Sequence, residues 1–301
     1  MKLYIYPQAR KHIHDKIDIY RGVVPFSEDG IAKHCRVVAN PDDAEYYYMG
    51  QFDDNCPIQD IDPNKFEYYK SKPEKHIVDI EGDQPNRDLI SLFKDCIITA
   101  NSVHKRYKNL KVFVRPTFSA LLMDLVNRND SFTLPNYKSF GFKGFLSHHS
   151  RIRVAQAIDK IKLPCEIKFN NQWTNQDVDL SSDNVIEYEE IMNNHAFSLC
   201  VRGNGLDSSR YFESCAYGRI PIVVSDGLLF GHNYDLSFVI QLSDKLSVED
   251  LAKEFNKIFC MTDQEIIQRC VAARRYFEDV IKLYFNGPTE MFLSYLKENN
   301  L

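Results

Sequence analysis

Residues 195–226 read HAFSLCVRGNGLDSSRYFESCAYGRIPIVVSD: an apolar run, a glycine loop, a helix-forming stretch and a second apolar run. That order is strand, loop, helix, strand, and open α/β sheets receive ligands at the carboxyl ends of such strands. Gly203 and Gly205 let backbone N–H groups come close to an anion. Asp207, Ser208 and Ser209 supply side chains for the start of the helix, whose dipole favours negative charge. A phosphate fits this arrangement.

Arg202 stands at the strand end and Arg210 in the first helical turn, each with a planar fork suited to diphosphate oxygens. Glu213 follows Arg210 by three positions and Ser209 by four, so all three share one helix face. The Ser209–Glu213 spacing is one residue too long for a capping box. A carboxylate there can accept two ribose hydroxyls. The plainer alternative is an ordinary Arg210–Glu213 pair beside glycines that only make a turn.

The same grammar runs along the chain. KLYIYP, AEYYYMGQF, HIVDI, CIITA and KVFVRP read as strands, with helical content in NKFEYYKSK and NRDLISLFK. A second set follows: YKSFGFKGFL, CEIKFN, AFSLCV, IPIVVS and FVIQL as strands, and SRIRVAQAIDKI as a helix with Ile152, Ala155 and Ile158 on one face. From Ser247, the expected N-cap, the pattern is almost all helix. Strands alternating with helices argue for parallel α/β sheets. The polar, turn-rich NRNDSFTLPNYK with Pro135 marks a junction between two units.

A chain of 301 residues with 44% hydrophobic content has material for a proper core. Net charge is −5 and no Lys/Arg block stands out, so nucleic acid is not an expected partner. The eight cysteines show no CxxC pair and read as reduced thiols of a cytosol-like compartment. No apolar stretch reaches membrane-spanning length, and the expected location is cytoplasmic.

FSLCVRGNGLDSSRYFESCAYGRIPIVVSD resembles the C-terminal signature of the exostosin-like glycosyltransferases, matching it at Arg202, Gly203, Ser208, Arg210, Glu213, Gly218, Ile220, Pro221 and Asp226. Arg219 replaces the cysteine often found in the family's Gly-Cys-Ile-Pro segment. Fainter likeness, in LYIYPQ, NPDDAEYYYMGQF, VFVRPTFS and FGFKGFLSHHSRIRVAQAI, extends it over residues 1 to about 235. Animal members are membrane-anchored, and the lack of an anchor segment here departs from them.

The resemblance implies a GT-B architecture: two Rossmann-like domains facing a central cleft, an acceptor-side domain over 1–135 and a nucleotide-sugar domain over 136–285. The helix over 286–301 would pack back on the first. Arg202, Gly203, Ser208, Ser209 and Arg210 would hold the donor diphosphate, with Arg151, or less favourably Arg153, as a further ligand. Glu213 would hold the ribose. The implied reaction is inverting transfer of a sugar from a nucleotide sugar, a UDP-sugar, to a glycan hydroxyl. Arginines and a helix N-terminus would stabilise the leaving group, with no metal or other cofactor expected. The general base is sought among Glu81 and Asp83 first, then Asp79 and His14, with His12, Asp15, Asp53 and Asp54 as further candidates.

Two rivals stand beside this. A metal-dependent GT-A enzyme would need an acidic pair such as DVD at 177–179 or DIE at 79–81. A protein that kept the site without turnover would bind nucleotide sugar or glycan only. His12/His14 and His148/His149 lack zinc partners at ligand spacing, and neither a Gly-x-Ser-x-Gly elbow nor a Walker loop is present.

Overall fold

The computed structural model describes residues 1–12, 17–18, 22–23, 26–52, 61–81, 87–128, 130–170, 179–231 and 234–301. They form two compact units: Met1–Pro116 with Leu228–His232 and Leu283–Leu301, and Thr117–Gly227 with Asn233–Lys282.

The first unit contains β1 (Lys2–Ile5), the short antiparallel pair β2 (Ile17–Asp18) and β3 (Gly22–Val23), α1 (Glu28–His34), β4 (Arg36–Val37) and β5 (Tyr46–Phe52). It continues with β6 (His76–Ile80), α2 (Arg87–Leu92), β7 (Ile97–Ala100) and β8 (Val112–Val114). Six strands make a parallel sheet in the order β4-β1-β5-β6-β7-β8. HIVDI and IITA are buried along their whole length, as the unbroken runs of a sheet covered on both faces must be.

The second unit contains α3 (Ala120–Asn127), β9 (Tyr137–Phe145), α4 (His149–Ile161), β10 (Cys165–Asn170), α5 (Asp183–Asn194), β11 (His195–Val201) and α6 (Ser209–Ala216). After these come β12 (Ile220–Val224), β13 (Ile240–Leu242), α7 (Val248–Phe259) and α8 (Asp263–Tyr276). Its five-stranded parallel sheet runs β10-β9-β11-β12-β13 around a core that includes Phe140, Phe197, Ile222 and Phe255. Counted within the unit this is the doubly wound order 2-1-3-4-5, whose switch point lies between β9 and β11. The expected class, α/β with two parallel-sheet units, therefore holds.

A π-helical turn at Phe277–Ile281 leads into α9 (Lys282–Asn286) and α10 (Pro288–Glu298). Within the first unit Phe292 of α10 packs edge-on against Phe26 and Phe113. Ser247 caps α7 by accepting from Asp250 N at 3.0 Å.

Three local expectations change. The units divide at Pro116–Thr117 rather than near 135, because α3 packs on α6. NKFEYYKSK starts within a 3-10 turn, Pro63–Lys65, and continues in turns, with Asp62 accepting from Asn64 N to start it. On α4 the inward face is Arg151, Val154, Ala157 and Ile158, while Ile152 is 45% exposed. The seven cysteines among the described residues are free, and Cys96, Cys200, Cys215 and Cys270 are buried. Among the described residues no helix is long and apolar enough to cross a membrane.

Candidate anion site at the switch point

α4 begins directly after β9, and its first turn carries Arg151 inward to the switch point. Nε donates to Arg202 O at 3.2 Å, Nη2 to Val201 O at 3.3 Å, and Nη1 to Phe145 O. These carbonyls are the tips of β9 and β11. Arg210, in the first turn of α6, donates from Nη2 to Lys143 O on β9. Its guanidinium lies 4.6 Å from the centre of the Phe142 ring and 5.4 Å from that of Tyr188, and Arg151 lies 5.6 Å from the same Phe142 ring.

Both arginines are buried, and among the described residues neither has a carboxylate within ion-pair distance. Arg210 Nε has no acceptor among the described residues. Burial first, and the Arg210 charge second, lower the Arg151 pKa to about 9. Buried charges are ordinarily paired, so two uncompensated cations at the carboxyl ends of parallel strands mark a place for an anion.

The glycine loop completes the setting. A methyl group on Gly203 would lie 2.9 Å from Ser147 Oγ and 3.2 Å from Arg151 Nη2, so this glycine is needed for close approach. Ser208 is the extended N-cap of α6 without a side-chain capping bond among the described residues, and Ser209 is the first helical residue. The first N–H groups of α6 therefore lack a side-chain acceptor from its own cap. Arg202 differs from the other two arginines: it pairs with Asp244 at 3.1 Å and donates to Asn204 O at 3.2 Å and Gly203 O at 3.4 Å.

Glu213 is buried with both carboxylate oxygens engaged. Ser119 Oγ, which also caps α3, donates to one at 2.5 Å, and Tyr188 OH donates to the other. Burial, then the Glu213 charge, push the Tyr188 phenol well above its ordinary range. The simple Arg210–Glu213 ion pair does not form.

Of the other motif residues, Arg153 turns to Leu246 O (3.1 Å) and Asp244 O. Asp226 pairs with Lys245 at 2.6 Å. Arg219 is fully buried and donates to Asn193 O (2.7 and 3.0 Å), Asn193 Oδ1 (2.8 Å) and Thr133 O (2.8 Å). In place of a cysteine it thus ties the start of β12 to the segments before β9 and β11.

The acidic candidates of the first unit separate clearly. Asp79 is buried in an ion pair with Arg115 Nη2 at 3.0 Å and accepts from Thr99 Oγ1, so its charge serves the interior of the sheet. Glu81 sits just past the end of β6, partly exposed, with its N–H on Phe52 O at 2.9 Å and a carboxylate oxygen accepting from Gln51 Nε2. Asp83, His14, Asp15, Asp53 and Asp54 lie outside the described residues, as does the His12 side chain.

The DIE segment is a poor chelator because Arg115 already neutralises Asp79. Asp177 of DVD is outside the described residues, and Asp179 accepts from Ser181 N at 2.9 Å in a local turn. Among the described residues no three His, Cys, Asp or Glu side chains gather as metal ligands.

Sequence reasoning missed Phe142, Ser119, Tyr188 and Asp244. Only Ser119 left a local signal, a capping residue before the apolar run ALLMDLV.

The fold and site define a doubly wound α/β protein with an arginine-lined glycine loop at its switch point. No family model matches the chain. Over 103 residues, 31% of this chain, it is 34% identical to the Exostosin-1 homolog of Caenorhabditis elegans, of which that stretch covers 27%. The match thus spans little more than a quarter of that curated relative. This similarity meets the exostosin-like resemblance carried by the motif residues. Among solved structures the crystal structure of TarM is similar at 10% identity and a TM-score of 0.37, over 74% of this chain and 55% of that one. At that score the likeness carries no argument about this chain.

Proposed function

We propose that this protein is an inverting glycosyltransferase that takes a sugar from a nucleotide sugar, a UDP-sugar by its exostosin-like signature, and passes it to a glycan hydroxyl. The observation that carries the reading is the pair of buried arginines, Arg151 and Arg210, without a carboxylate partner at the β9–β11 switch point. A nucleoside diphosphate supplies the missing negative charge, and the loop at Gly203 and the α6 N-terminus at Ser208 and Ser209 add N–H donors to it.

In the transfer step the acceptor oxygen bonds to the anomeric carbon, the bond from that carbon to the phosphate oxygen breaks, and the nucleoside diphosphate leaves with the electron pair. Glu81 is the proposed base for the hydroxyl proton, because it is partly exposed at a strand end while Asp79 is neutralised. Glu213 serves the ribose by exchanging its Ser119 or Tyr188 bond for ribose hydroxyls. Free buried cysteines suit a cytoplasmic setting.

The test is a calorimetric and thermal-shift panel of pyrophosphate, UDP, GDP, CMP and UDP-sugars, with and without Mn²⁺. UDP binding that needs no metal, followed by transfer with inversion at the anomeric carbon, is the expected result. Binding without transfer or hydrolysis leaves a nucleotide-sugar-binding protein, and binding only with Mn²⁺ overturns the metal-free mechanism.

A further inference from the structure

The three arginines of the site are not equivalent. Arg151 and Arg210 lack a carboxylate partner among the described residues, whereas Arg202 is neutralised by Asp244, whose carboxylate is only 8% exposed. All three kinds of Arg202 nitrogen are occupied: Nη1 by Asp244 Oδ2, Nη2 by Asn204 O and Nε by Gly203 O. The guanidinium thus folds back over its own loop.

In a trans peptide the C=O and the N–H point in opposite directions, and no described peptide bond is cis. Drawing the Gly203 and Asn204 carbonyls toward Arg202 therefore turns the N–H groups of Asn204 and Gly205 away from it. Neither N–H has an acceptor among the described residues. Two successive N–H groups facing one way are an anion-binding feature of loops.

Asp244 is itself held. Arg153 Nη2 donates to Asp244 O and Nη1 to Leu246 O at 3.1 Å, while Arg151, two residues earlier on α4, donates to the backbone of Arg202. One helical turn of α4 thus clamps both ends of the Arg202–Asp244 pair.

Resting on the nucleoside-diphosphate reading above, we infer that Arg202 and Asp244 are positioning residues. Arg202, anchored by Asp244, shapes the 203–205 loop so that the Asn204 and Gly205 N–H groups meet the diphosphate, while Arg151 and Arg210 supply the charge. Arg202 is then no direct phosphate ligand, which departs from the role the sequence resemblance implies for it.

The experiment is an NMR titration of the wild-type protein with pyrophosphate and with UDP, following the Asn204 and Gly205 amides and the arginine Nε–H signals. Calorimetry on Asp244→Asn and Asp244→Glu accompanies it. Both amides should move downfield on saturation, and the Arg210 Nε–H should shift while that of Arg202 stays. Asp244→Asn should weaken pyrophosphate and UDP alike by about ten- to hundredfold, the scale of one charge-assisted hydrogen bond, and Asp244→Glu should restore most of the loss. Silent amides with a shifting Arg202 Nε–H would overturn the inference and leave the diphosphate reading intact. Tighter binding by Asp244→Asn would overturn it too, since Asp244 would then be a competitor of the phosphate. Wild-type protein that binds neither probe overturns both. The wild-type titration decides the matter even where Asp244→Asn does not fold.

Discussion

Arg151 and Arg210 both reach Gly144: a methyl group there would lie 2.8 Å from Arg210 Nη2 and 3.6 Å from Arg151 Nη1. Two guanidinium groups share this space because β9 offers no side chain at that point and Phe142 offers a ring face to both. Their repulsion is a standing cost in the free protein, and an anion removes it.

Arg210→Met keeps most of the side-chain volume and removes one of the two charges. The free protein should melt at the same temperature as wild type or higher, because relief of repulsion offsets the bond lost to Lys143 O. Affinity for UDP should fall by about 2–5 kcal/mol, the usual loss for a desolvated charge contact. Differential scanning fluorimetry with and without UDP measures both. A variant that keeps the full UDP-induced rise in melting temperature would place the phosphate elsewhere.

Binding should also report the Arg151 proton. Burial and Arg210 bring its pKa to about 9, and a bound phosphate raises it again because opposite charge favours the protonated form. Below that pH Arg151 is already charged and affinity is flat on its account. Above it, binding must take up a proton, and affinity falls as pH rises. Calorimetry in buffers of different ionisation enthalpy at pH 8 and pH 10 should detect uptake only at the higher value (about one pH unit either side of the midpoint). Equal uptake at both would detach Arg151 from the ligand.

Glu213→Gln places an amide where two hydroxyl donors converge, so one of the bonds from Ser119 and Tyr188 is lost. The variant should lose about 1–3 kcal/mol of stability, the cost of a buried donor without an acceptor. In urea titrations Tyr188→Phe should recover part of that loss in the double variant. Pyrophosphate affinity should be unchanged and UDP affinity reduced, because the carboxylate acts on the nucleoside portion. Equal losses for both ligands would remove Glu213 from the ribose.

The sheets were legible because HIVDI, CIITA and IPIVV are runs that only a two-sided burial explains, and the glycine loop because its residue types are rare between such runs. α3 escaped because ALLMDLVN is short and, but for Asp124 and Asn127, apolar, which leaves helix and strand undistinguished by period. The phase of α4 came out wrong because Arg151 takes an inward place that the apolar pattern assigns to Ile152. Partners of the site residues come from far along the chain, Ser119 for Glu213 and Asp244 for Arg202, and local spacing carries no information about them.

The two acids of HIVDIEG should respond in opposite ways to neutralisation. Asp79 lies inside the sheet against Arg115 and Thr99, and removing it leaves the Arg115 charge buried and unpaired. Breaking such a pair costs about 3–5 kcal/mol, so Asp79→Ala should unfold at markedly lower urea whatever the ligand. Glu81 is partly exposed past the strand end and holds Gln51, an arrangement that glutamine can keep in part. Glu81→Gln should therefore stay within about 1 kcal/mol of wild-type stability and keep UDP affinity while losing transfer. Urea melts of both variants beside a transfer assay separate the roles. A stable Asp79→Ala protein with no transfer, or a fully active Glu81→Gln, would move the base from Glu81 to another acid.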